Sequence, residues 1–115
     1  MANSIRQLIE EKALKLRDVD ALGPHVAASE LVNLTALLAS INKLCADRRY
    51  WLGLKKVALL QEHKSAAKAI IYAEGSIEFR DWLEAEEYRK AVVELMRSIK
   101  FYLKNNEIEQ REAKY

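Results

Sequence analysis

From Leu31 onward every seventh residue is apolar: Leu31, Leu38, Cys45, Leu52, Leu59, Ala66 and Ala73. A repeat of seven keeps one narrow stripe of a helix facing the same way, so this spacing requires a long helix whose seam is covered by another helix. The interleaved series Leu34, Ile41, Arg48, Lys55, Glu62 and Ala69 turns polar through its middle and reads as a weaker line. Leu37, Leu44, Trp51 and Ala58 flank the first seam and are expected to widen it. Pro24 suits the first turn of such a helix, which is predicted as a single helix over 24–74, with a kink or break at Gly53 as the alternative.

A second stripe faces the first. Ala85, Tyr88, Val92, Leu95, Ile99 and Tyr102 recur at spacings of three and four, so a helix is predicted over 76–105. Between the two, Gly75 can take the left-handed conformation that ends a helix and Ser76 can cap the next. Asn105-Asn106 marks the expected end, and 106–115 is read as a frayed extension or charged tail. At the other end, Ser4 and Gln7 fit a capping box, and Ile5, Leu8, Ile9, Ala13 and Leu16 form one face of a helix expected over 4–21, before Gly23-Pro24. The fold class that follows is all-α: a long antiparallel helical hairpin, coiled-coil-like, with a short N-terminal helix, in one domain of 115 residues. With only three glycines and one proline, composition agrees.

Chemistry is constrained mainly by what the residues do not form. His25 and His63 stand far apart and neither belongs to a metal-binding His pair on one helix face. Cys45 falls on the seam, where a thiol acts as a small apolar group, and as the one cysteine it permits no intrachain disulfide. The glycines are isolated, so no phosphate-binding loop is predicted, and Glu84, Glu86 and Glu87 point in different directions from a helix. These features predict a protein that is not an enzyme and uses no metal or other cofactor. MANSIRQLIEEK does not resemble a secretory signal and no apolar run approaches the roughly 20 residues of a bilayer span, so a cytoplasmic protein with no membrane partner is expected.

One stretch stands apart, RRYWLGLKK, with four cations and two aromatic rings in nine residues. Taken at 100° per residue, Arg48, Arg49, Lys55 and Lys56 fall within an arc of about 120°, with Leu52 among them. Such an arc can lie along phosphates while Tyr50 or Trp51 stacks on a base, and Lys64 and Lys68 extend it. The competing reading places the rings in packing and pairs the cations with Glu84, Glu86, Glu87 or Glu94 of the opposing helix. Net charge is only +2, but 24–74 carries seven Lys/Arg against four Asp/Glu and 76–115 carries eight against nine, so the two helices can attract.

A two-helix hairpin buries little surface for its length, so Leu60, Ile71, Phe79 and Leu83 are expected to meet a second copy or another protein. The seam residues Leu31, Leu38, Leu52, Leu59, Tyr88, Val92, Leu95, Ile99 and Tyr102 are the expected interface of a homo-oligomer.

The segment KSAAKAIIYAEGSIEFRDWLEAEEYRKAVVELMRSIKFYLK resembles small all-helical proteins of tailed phages and prophages. The elements that carry the likeness are Ala67-Lys68-Ala69, Ala73-Glu74-Gly75, Arg80 and the run from Arg97 to Lys104, within roughly the last half of the chain. The resemblance implies a phage accessory protein, of a kind sometimes encoded among early genes for DNA replication or recombination. It supplies no catalytic residue. The functional expectation is therefore a helical adaptor that oligomerises and binds a protein partner, with a single-strand nucleic-acid-binding accessory protein as the alternative.

Overall fold

The computed structural model describes residues 2–113, with side chains from Ile5. Every regular element among them is helical: α1 (Ala2–Lys15), α2 (Val19–Leu22), α3 (Pro24–His63), α4 (Ala66–Glu74) and α5 (Ile77–Ala113). The helices group into two compact units, one of residues up to Ala39 with those from Lys90 onward, the other Ser40–Arg89. In each, part of α3 packs antiparallel on part of α5.

In the first unit the fully buried side chains are Leu34 of α3 with Val92 and Ile99 of α5, and the small Ala27 lies with them. α1 closes against this part of α3 through Ile9 and Leu16, both buried. Its seal is polar as well as apolar. Glu30, buried to 4% exposure, accepts hydrogen bonds from Lys12 Nζ at 2.7 Å and Lys15 Nζ at 2.8 Å. Lys12 thus occupies the inner face that Leu8 and Ala13 were expected to share; both are exposed, and the true stripe is Ile5, Ile9, Lys12 and Leu16. The expected helix over 4–21 is two pieces, because Asp18 leaves helical backbone (φ −123°, ψ 74°) and starts the short α2. Helix α1 is already formed at Ala2, and the Ser4 cap side chain lies outside the described residues. Gly23 takes φ +82°, a left-handed value that frees Pro24 to begin α3.

The second unit is itself a helical hairpin. Ile41, Cys45, Leu52 and Leu59 of α3 are buried with Ala85 and Tyr88 of α5, and Leu59 clusters with Ala69 and Ala73 of α4. Helix α3 runs through Gly53 without interruption and ends at His63. The alternative of a break at Gly53 is not seen, and the single helix expected over 24–74 is interrupted instead at Lys64, whose φ of +55° turns the chain, after which Ser65 caps α4 by accepting from Lys68 N–H at 3.4 Å. Across the break the His63 and Tyr72 rings stack, centroids 4.4 Å apart and planes 11° from parallel. A side chain other than glycine at positive φ is strained by about 1 kcal/mol. Lys64→Gly is accordingly expected to raise stability by about 0.5–1 kcal/mol in urea denaturation; an unchanged or lower midpoint would mean that the break is held by other contacts.

The α4–α5 turn also differs in detail from expectation. Gly75 has φ −87°, an ordinary right-handed value, and Ser76 sets the corner instead: its Oγ donates to Ala73 O at 2.6 Å and accepts from Phe79 N–H at 3.2 Å. At its far end α5 does not stop at Asn105-Asn106 but continues to Ala113, in a Glu-rich stretch where Arg111 forms a helix-supporting pair with Glu107 at 2.8 Å. The tail expected at 106–115 is helix as far as it is described.

Candidate interaction surface on helix α3

The heptad seam of α3 is not one line but two that exchange depth. In the first unit Leu34, at 0% exposure, lies deeper than Leu31 and Leu38, which are half-buried. Ile41 opens the second unit at 0%, and beyond it Cys45, Leu52 and Leu59 take over. The line of Leu34 and Ile41 continues into Arg48 and Lys55, both half-buried. The repeat of seven is shorter than two turns of an α-helix, so an uncoiled helix drifts across its own stripe and brings the neighbouring series inward.

That geometry decides where RRYWLGLKK goes. Leu52, the middle of the basic arc, is buried at 4% exposure, so the arc straddles the packed seam and is not a continuous outward strip. Arg48 lies on one side with its side chain 17% exposed, where Nη1 donates to Asp81 O at 2.6 Å and pairs with Glu84 Oε1 at 3.1 Å. Arg49 and Lys56 lie on the other side and are exposed. Among the described residues Arg49, Lys55, Lys56, Lys64 and Lys68 make no ion pair, and the expected partners Glu86 and Glu94 hold Arg89 and Arg97 of their own helix. Of the four cations in the stretch, one is structural and three are available.

The rings are available too. Tyr50 and Trp51 are 62% and 60% exposed, so Trp51 does not widen the seam, and neither does the exposed Ala58. They meet edge to face, centroids 5.7 Å apart and planes 73° apart. With Leu54 and Val57, 46% and 56% exposed, they form a second apolar stripe at spacings i, i+1, i+4 and i+7. At 100° per residue its centre lies opposite the buried Leu52 and Leu59. Helix α3 therefore has an inner and an outer apolar face in this unit, and the outer one is masked in the sequence by the four cations interleaved with it. Its signal was present as the spacing of Tyr50, Leu54 and Val57 alone.

Beside this stripe a groove of about 590 Å³ is lined by Asn42, Cys45, Arg49, Tyr50, Glu86 and Arg89. Cys45 forms part of its wall but is a poor nucleophile: burial first, and then the charge of Glu86, push its thiol above the ordinary value. Arg89 is held at Glu86, Nη2 to Oε2 at 2.6 Å, leaving Arg49 as the unpaired cation of the groove.

Of the expected oligomer interface, Leu52, Leu59, Tyr88, Val92 and Ile99 are buried within the chain, and Leu31, Leu38, Leu95 and Tyr102 are half-buried. The leftover residues fare differently: Leu60, Ile71 and Leu83 are exposed and Phe79 is half-buried. With Ile70, Tyr72 and Ile77 they add a further apolar surface on α4 and the start of α5. No described helix is long and apolar enough to cross a membrane, and no three His, Cys, Asp or Glu side chains among the described residues are grouped to hold a metal ion. Comparison with family models, with curated proteins and with solved structures gave no match to this chain.

Proposed function

We propose that this chain is a non-enzymatic helical interaction protein, an adaptor that associates with itself and with a protein partner, of the accessory kind found in tailed phages and prophages. One observation carries the reading: the Ser40–Arg89 unit buries a complete seam and still leaves Tyr50, Trp51, Leu54, Val57, Ile70, Ile71 and Ile77 outside it. Large side chains in such number contribute nothing to the fold while exposed, and contiguous apolar surface on a small protein marks a place of contact. Because the seams are used up within the chain, self-association falls to the α4 surface around Ile71 and Ile77, and the outer face of α3 is left for the partner. Sedimentation equilibrium tests this. The wild-type protein should show a mass above its monomer value of 13.2 kDa, and Ile71→Glu with Ile77→Glu should return it to that value with helicity unchanged. A wild-type monomer at all concentrations would contradict self-association.

A second reading keeps a specific observation in its favour, since Arg49 and Lys56 are unpaired and share one helix with the exposed Tyr50 and Trp51. These are components of a single-strand nucleic-acid site. Its mark is binding of labelled single-stranded DNA that weakens steeply with salt and is lost in Arg49→Glu with Lys56→Glu.

A further inference from the structure

Gly53 stands well inside α3, in the same turns as Tyr50, Leu54 and Val57, and a Cβ added there would meet nothing within 4 Å. The position is helical and not left-handed, so neither backbone conformation nor packing within the chain calls for glycine. It nevertheless costs about 1 kcal/mol of helix stability against alanine. A glycine with no internal reason, set between an exposed apolar stripe and the Arg49–Lys56 edge, is explained by close approach of another backbone from outside.

The size of the stripe limits what approaches. From the exposures of its four large residues it offers roughly 300–400 Å² of side-chain surface, against about 800 Å² per partner in a standard protein interface. That is too little for a stable dimer face and suits one helix laid across about two turns. Charge narrows the occupant further. From Arg48 to Gln61 there is no acidic residue, and on the edge of Arg49 and Lys56 both cations are unpaired. The acids around it are Asp47 and Glu62 at the ends, Glu78 and Asp81, which share a hollow with Arg48 and Trp51 on the opposite edge, and Glu86, which lines the groove beside Arg49 but is held by Arg89. The centre is aliphatic and the two rings are held nearly perpendicular, which serves apolar side chains better than successive stacked bases.

We propose that the outer face of α3 docks one amphipathic helix of a partner protein, its apolar side chains on Tyr50, Leu54 and Val57, its backbone over Gly53 and its acidic side chains on Arg49 and Lys56. The proposal rests on the interaction reading above and names the chemistry of the partner. Three fluorescent helix-forming peptides with one leucine stripe and flanks of Glu, Gln or Lys, together with a labelled oligothymidine, are titrated with the full chain and followed by anisotropy. The Glu peptide should bind about tenfold tighter than the Lys peptide, with Gln between them, and added salt should narrow the gap. Gly53→Leu should weaken the Glu peptide tenfold or more while circular dichroism shows the helix intact. Equal binding of the Gln and Glu peptides would overturn the acidic assignment and leave helix docking standing. Absence of binding by every peptide would remove both. Tighter binding of oligothymidine would make this a nucleic-acid face, and self-association abolished by Gly53→Leu would make the occupant a second copy.

Discussion

Truncating Leu34 or Ile41 to alanine is expected to cost about 2–5 kcal/mol of unfolding free energy, the loss in each case combining lost burial with the cavity left behind. Both side chains are at 0% exposure, each in the core of its own unit. Leu31→Ala and Leu38→Ala remove the same number of atoms from half-buried sites and should cost less, about half as much. Urea denaturation of the four variants decides the order. If Leu31→Ala or Leu38→Ala proves the more damaging, the packed line is the one read from the heptad repeat and not the one that turns into Arg48.

The second large effect is electrostatic. Glu30 has a side chain only 6% exposed and is held by two lysines, one of which, Lys12, is itself only 19% exposed. Hydrogen bonds from Lys12 and then Lys15 hold its carboxyl below the ordinary value of 4.5, against the opposing pull of burial. A carboxyl whose folded pKa is depressed stabilises the fold above the unfolded value and loses that contribution as pH falls through the folded value. The stability of the wild type should therefore be level above pH 4.5 as far as this group is concerned and decline below it. Glu30→Ala should lose about 2 kcal/mol at neutral pH, because Lys12 is left half-buried without its partner, and should flatten the acid limb. Hydrogen exchange ought to show α1 loosening first, since Glu30 is its polar tie to α3. A variant as stable as the wild type at pH 7 would make the triad a surface feature of no energetic weight.

Much of the fold was legible because helical periodicity and turn residues agreed. Pro24 begins α3, Ser76 sets the corner before α5, and Ala85, Tyr88, Val92 and Ile99 are buried where their spacing placed them. What misled was treating strong local signals as independent of their surroundings. Gly53 is a helix breaker only by propensity, and forty residues of α3 packed along one face outweigh its cost. The helix expected to run unbroken to 74 is interrupted at Lys64-Ser65, where a lysine adopts positive φ, a conformation no residue-type preference announces. Asn105-Asn106 failed as a stop for the same reason, with Asn106 half-buried inside α5.

The candidate surface was legible in part. RRYWLGLKK drew attention through its charge, yet charge alone does not tell which side of a helix is covered. Once Leu52 is known to be buried, Arg48 becomes structural, while Arg49 and Lys56 stay outside with Tyr50, Trp51, Leu54 and Val57. Trp51 lies about 100° round the helix from the buried Leu52, too far to flank the seam, and packing leaves it exposed. The outer stripe needed both halves of the observation: which residues are apolar, and which of those the fold does not use.

That distinction between residues the fold uses and residues it leaves is the centre of the account, and Gly53→Ala tests it most directly because fold and binding should move in opposite directions. Stability and affinity for the Glu-flanked peptide are measured on the same sample. A rise of about 1 kcal/mol in unfolding free energy, accompanied by several-fold weaker binding, is the predicted result. A fall in stability, or a rise with affinity untouched, would contradict it, and Gly53 would then belong to the fold or to nothing.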